Sequence, residues 1–181
     1  MPVTRREALR QFLFVSTGVA LLPSCLQHPS KASIVLKKIS VDANGENMLA
    51  ELTDTLIPAT TTPGAKDVSA HLFVLTMVDD CYTKEDQQKW LRGMQQFEEL
   101  AQQKNGHSFL RSTPAEREAL LTSLETKKED DLSFFYHSVK RWTIRAYTSS
   151  KYYLTKVQVY ELVPARFKGC VPVSPVNKKI A

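Results

Sequence analysis

Residues 132–147 read Leu132-Ser-Phe-Phe-Tyr-His-Ser-Val-Lys-Arg-Trp-Thr-Ile-Arg-Ala-Tyr147, and this stretch decides the fold class. Phe135, Val139, Trp142 and Ala146 recur at i, i+4, i+7 and i+11, the spacing of one buried face of an α-helix. Phe134 and Tyr136 flank that face. Lys140, Arg141 and Arg145 fall between the apolar positions. A strand would need strict alternation, and none is present.

The segments on either side repeat the signal. Thr113-Pro114-Ala115-Glu116 is a capping box with proline at the first helical position. Behind it Leu120, Leu121 and Leu124 point inward. Lys127 to Asp131 is expected to be a solvated, charged connection. Lys84 to Lys104 reads as a long helix with a stripe of Trp90, Leu91, Met94, Phe97, Leu100 and Ala101, stopped by Asn105-Gly106. A helix over Lys66–Tyr82 has Val68, Leu72, Leu75 and Val78 or Met77 on its apolar side. Another, Gly45 to about Ile57, uses Met48, Leu49, Leu52 and Leu56 and halts at Pro58. Between them Thr60-Thr61-Thr62-Pro63-Gly64-Ala65 is a turn. Thr148-Ser149-Ser150 caps a short helix over about Lys151–Val157. From Tyr160 the chain is expected to be extended and irregular. The expectation is an all-α domain, a single compact bundle of five or six helices.

The domain is expected to span residues 44–173, with a frayed tail at 174–181. Residues 25–43 read as a flexible tether, because Lys31, Lys37 and Lys38 break up the short apolar run Ile34-Val35-Leu36. Residues 1–24 read as an export signal: a basic start (Arg5, Arg6, Arg10), an apolar run from Phe12 to Leu22, and small residues after it. The run is too short to span a bilayer stably. Arg5-Arg6 resembles a twin-arginine signal, although Ala8 stands where a large apolar residue is usual. Leu22-Pro23-Ser24-Cys25 resembles a bacterial lipobox, in which Cys25 would become the first mature residue and carry the lipid. A signal cleaved by an ordinary peptidase and an uncleaved N-terminal anchor are the other readings. The expected location is the periplasmic side of a bacterial envelope, bound to the membrane through lipid on Cys25.

Composition narrows the function classes. The chain has 181 residues and a net charge of +5. The signal alone contributes +2 of that, leaving 21 basic against 18 acidic residues. Nucleic-acid binding is therefore not indicated. There is no Gly-x-Gly-x-x-Gly and no P-loop, so no nucleotide cofactor is expected in this chain. No Cys-x-x-Cys-His attaches haem. His28, His71, His107 and His137 have no metal-ligand spacing, and His71 and His137 are expected to be satisfied structural or interface histidines. No nucleophile elbow is present. Asp79-Asp80 and Glu129-Asp130-Asp131 read as solvated faces, because neighbours on a helix point apart. No catalytic, cofactor-binding or metal-ligating residue is assigned.

Two features remain. With Cys25 lipidated, Cys81 and Cys170 form an even pair. A disulfide between them would close a loop of about 90 residues and contribute on the order of 4–5 kcal/mol; two buried thiols are the alternative. Aromatic residues gather in the last third, at Phe134, Phe135, Tyr136, Trp142, Tyr147, Tyr152, Tyr153 and Tyr160. They serve either as core and ordinary surface or as a partner-binding face, with Tyr147, Tyr152, Tyr153 and Tyr160 as its candidates.

Leu52-Thr53-Asp54-Thr55-Leu56-Ile57-Pro58, with Pro63-Gly64-Ala65 and a following helix, resembles the opening signature of the gluconate 2-dehydrogenase subunit 3 family. Tyr147-Thr148-Ser149-Ser150 and Tyr160 to Cys170, with Pro164 and Gly169-Cys170, resemble its closing signature. Lys151-Tyr152-Tyr153 stands where the family often has glycine. The resemblance covers roughly residues 44–173. It implies a non-catalytic small subunit that escorts and anchors a sugar or sugar-acid dehydrogenase. The implied partner is an FAD-dependent large subunit of the glucose-methanol-choline type, with a cytochrome c carrying haem as a further subunit. The competing reading is a free-standing helical envelope lipoprotein that binds another protein or a ligand.

Overall fold

The computed structural model describes residues 32–126 and 130–158. Five α-helices account for most of them: α1 (Ala43–Leu56), α2 (Ala70–Cys81), α3 (Lys84–Asn105), α4 (Pro114–Leu124) and α5 (Asp131–Thr148). A 3₁₀ turn at Phe109–Arg111 precedes α4, and a π-helical turn at Tyr153–Val157 follows α5. No strand occurs among the described residues, and the all-α expectation holds. The expected extended segment from Tyr160 onward lies outside the described residues.

The local signals work as the chemistry requires. Thr113 accepts from the Glu116 N–H while the Glu116 carboxylate accepts from the Thr113 N–H, completing the capping box. Gly106 ends α3 with φ +75°, and its N–H bonds back to the Gln102 carbonyl. Helix α2 starts four residues later than the Lys66 start expected. Ser69 sits at φ 55°, a left-handed conformation that no helical run passes through. That shift turns Val74 inward with Leu75 and Val78, and leaves Leu72 half-buried.

α3 and α5 form the central pair. Gly93 is what allows it: a Cβ there would stand 2.1 Å from the Asp131 carbonyl oxygen and 2.6 Å from the Phe135 Cβ. Around this approach Trp90 and Phe97 close on Phe135, and Phe109 on Phe97, with ring centroids 4.9–5.6 Å apart in tilted and edge-on pairs. α1 and α2 cover the other side with Leu49, Leu52, Val74, Leu75 and Val78, all fully buried.

The chain runs out along α1 and returns along α2. At the far end the Ala65 N–H bonds to the Ile57 carbonyl (2.8 Å). At the near end the last turn of α2 meets the segment that leads into α1. That segment corrects the expectation of a loose tether up to residue 43. From residue 32 onward it is packed, with Ile39 buried and Ile34, Leu36 and Val41 against the core.

Candidate functional site

The near end is built on one carboxylate. Asp79 is only 4% exposed, and its oxygens accept from the backbone N–H groups of Lys37 (2.9 Å), Lys38 (2.7 Å) and Ile39 (2.9 Å). Burial alone would raise its pKa. The three N–H donors outweigh that and hold the carboxyl below its ordinary range. Gln87 completes the joint, its amide donating to the carbonyls of Val78 (3.2 Å) and Asp79 (2.9 Å) at the open end of α2. Farther up the segment, Ser33 binds the Glu46 carboxylate through both its N–H (2.5 Å) and its hydroxyl (2.6 Å). The expectation that Asp79-Asp80 is a solvated face is therefore corrected for Asp79. The sequence signal was available in Ile39, an apolar residue just before a helix that needed somewhere to go. Nothing in the sequence linked it to Asp79.

The Glu129-Asp130-Asp131 reading holds for Asp130, which is exposed, while Asp131 is half-buried. Asp130 accepts from the Ser133 N–H (2.6 Å) as the N-cap of α5. Asp131 opens α5 and pairs with Arg92 (2.6 Å) across to α3. Glu129 lies outside the described residues.

The far end is the turn Ile57–Ala65. Gly64 has no room for a side chain: a Cβ would meet the Ala59 nitrogen at 2.6 Å and Asp54 Oδ1 at 2.9 Å. Its N–H donates to Asp67 (2.8 Å). Tyr147, near the end of α5, donates its hydroxyl to the Pro63 carbonyl (2.9 Å). Ala65, Ala70 and Ala146 form a small second cluster beneath, with Ile57, Val68 and Phe73. The Tyr153 ring stands edge-on to Tyr147, 6.2 Å between centroids. A shallow cavity of about 430 Å³ opens here, lined by Val68, Phe73, Ala146, Ser149 and Tyr152 among others. Two sequence motifs far apart in the chain, Pro63-Gly64-Ala65 and Tyr147-Thr148-Ser149-Ser150, thus share one end of the bundle.

Glu51 links this end to α4. It accepts from Lys66 and from Arg117, whose guanidinium also donates to the carbonyls of Leu110 (3.0 Å) and Phe109 (3.3 Å). The Lys66 hydrogen bond comes first among the causes that lower the Glu51 pKa, with Arg117 acting against the opposing effect of burial.

Among the other candidates, Phe135 and Tyr136 are core, while Phe134 and Trp142 are half-buried. Tyr147, Tyr152 and Tyr153 are half-buried at the far end. Cys81 is exposed at the end of α2. Cys170, and with it the expected bridge, lies outside the described residues, as do Arg5, Arg6, Cys25, His28 and Tyr160. His107 is held by the Asn105 carbonyl (2.6 Å) and Glu116 (3.5 Å), and His137 is exposed. His71 departs from the expected satisfied histidine. Its Nδ1 is buried with no partner among the described residues, and burial depresses its pKa. No group of His, Cys, Asp and Glu among the described residues could hold a metal ion. No described helix is long and apolar enough to cross a membrane.

No curated protein and no solved structure matches the chain. The family model described as Gluconate 2-dehydrogenase subunit 3 matches residues 43–165, which takes in α1 and both motifs of the far end.

Proposed function

Because the chain belongs to the gluconate 2-dehydrogenase subunit 3 family, a family of accessory subunits of dehydrogenase complexes, we propose that it escorts and anchors an exported flavoprotein. The partner is an FAD-dependent sugar or sugar-acid dehydrogenase of the glucose-methanol-choline type. A cytochrome c carrying haem takes the electrons. This chain supplies the address through Arg5 and Arg6, the membrane hold through a lipid on Cys25, and a docking face for the folded partner.

The observation that carries this reading is the family match over a body whose two ends differ. One end ties down the segment that follows the signal, through Asp79. The other joins both sequence signatures and presents half-buried aromatic rings, Tyr152 and Tyr153. Nine residues of α2 separate Ala70 from Asp79, about 14 Å at 1.5 Å per residue. An adaptor needs such a division between a tethered end and a binding end. Tyr rings give large contact area at low entropy cost, which suits the second.

The test is isolation of the tagged chain from its native membranes in mild detergent. The expected outcome is a co-purifying large subunit with flavin absorbance in roughly equal amount to this chain. A colourless, single species, under conditions that keep other membrane complexes whole, would reject the escort and leave a free-standing envelope lipoprotein.

A further inference from the structure

We propose that the surface where α2 meets the second half of α5 is the face that binds the dehydrogenase subunit, and that this subunit meets it with carboxylates set around an apolar side chain. The inference rests on the accessory-subunit reading above. It deepens that reading by naming the face and the partner's chemistry at it.

The apolar part of the face is held in place by its own contacts. The Phe73 ring stands edge-on to Trp142, 6.2 Å between centroids. Trp142 donates its Nε1–H to the Tyr82 hydroxyl (3.0 Å), and Tyr82 donates in turn to Ser138 Oγ (3.1 Å). The Arg141 guanidinium donates to the same Tyr82 oxygen (3.0 Å) and lies over the Trp142 ring, 5.0 Å from its centroid. Phe73 also lines the hollow of about 430 Å³, with Ala146 and Tyr152. Rings fixed in advance lose little freedom when a partner arrives. The hollow gives a protruding side chain a place to be buried.

The charged part has one sign. Leu132–Gln158 carries Lys140, Arg141, Arg145, Lys151 and Lys156 and no Asp or Glu. Lys140 pairs with Glu125. Asp67 also lines the hollow, and its carboxylate is engaged by the Gly64 N–H (2.8 Å). Arg145, Lys151 and Lys156 are exposed and have no carboxylate partner among the described residues. Ile144 and Val157, in the same stretch, are exposed large apolar side chains. Basic groups around an apolar centre are matched by carboxylates around an apolar group.

Those carboxylates belong to another protein. Residues 1–31 and 159–181 each hold four basic residues against one acidic, so both repeat the sign of the face. A second copy docked face to face would set like charges opposite one another. A bilayer takes up projecting apolar side chains, whereas Phe73 and Tyr152 line a hollow. Trp, Tyr and Arg are the side chains that dominate protein–protein contacts.

The test uses the tagged full-length chain isolated with the dehydrogenase from its native membranes in mild detergent, read as flavin absorbance per chain. Arg145→Glu with Lys151→Glu reverses two exposed charges of the face. Lys89→Glu with Arg111→Glu makes the same change of charge at exposed positions outside it. The face variant should retain at most about one tenth of the parent's flavin, and the control variant should retain all of it. A second readout needs no variant to fold. A zero-length carbodiimide joins a lysine amine to a carboxylate in contact with it, and in the parent complex it should link Lys151 to an Asp or Glu of the flavoprotein. Full flavin in the face variant, equal loss in both variants, or no Lys151 link in a complex whose other lysines are linked each overturn the face and leave the accessory role standing. Binding of the parent to phosphatidylglycerol vesicles that the face variant loses, with flavin retained, overturns it in favour of a membrane surface. Absence of any flavoprotein from the parent preparation overturns the accessory role itself, and the face with it.

Discussion

Asp79 is the residue on which the near end depends, and its removal has a predictable size. Asp79→Ala leaves the N–H groups of Lys37, Lys38 and Ile39 without their acceptor, the last of them buried. The expected cost is about 2 kcal/mol, read as a fall in the thermal midpoint. The pH dependence follows from the direction of the shift. A carboxyl held below its ordinary range adds stability above its unfolded pKa, about 3.9, and loses it as pH falls through the folded value. Acid unfolding below about pH 4 should therefore be less steep in Asp79→Asn than in the parent chain. Identical acid limbs for the two would mean that the carboxylate carries no such linkage. Glu51 shifts the same way, chiefly through its Lys66 hydrogen bond, so the variant's acid limb should flatten rather than vanish.

At the scale of elements, the pairing of α3 with α5 is set by the absence of one side chain. Gly93→Ala puts a Cβ against the Asp131 carbonyl and the Phe135 Cβ, both closer than real contacts allow. Neither is the loose end of a flexible side chain, so the helices must move apart. Overpacking of this kind costs about 1–3 kcal/mol. Here it also disturbs the Trp90, Phe97 and Phe135 rings that pack around the same approach. The expected result is a lower urea midpoint and altered near-ultraviolet circular dichroism with helix content retained. An unchanged midpoint would mean that the two helices are not held at this distance in solution. Gly106, whose φ is +75°, has open space around its missing Cβ, so its requirement is conformational alone.

For the whole molecule, the proposed division of labour predicts a trans effect. Replacing Arg5 and Arg6 with lysine should strand the flavoprotein partner in the cytoplasm along with this chain, as read by fractionation and partner immunoblot. A partner that still reached the envelope would dispose of the escort idea. The Asp79 clamp is remote from that signal in function, so Asp79→Asn should leave export in place.

How legible was this in the sequence? Helix identity came through well, because periodicity, the Thr113 capping box and the Asn105-Gly106 stop are local signals that act within a few residues. Family membership came through too, since signature turns are strings of neighbours. The start of α2 did not, because the left-handed Ser69 is a conformation that serine rarely takes and no composition rule foretells. Nor did the order of residues 32–42. Their lysines mark them as solvated, and only a carboxylate some forty positions away supplies the acceptors that hold their backbone. The same holds for Gly93, read as one more position in a helix until α5 is laid against it. The sequence by itself determined the helices and the family, because each is written in contiguous residues. Only the tertiary structure decided which carboxylate is buried, that residues 32–42 pack on the body and which motifs share an end, because those depend on contacts between segments that no local pattern encodes.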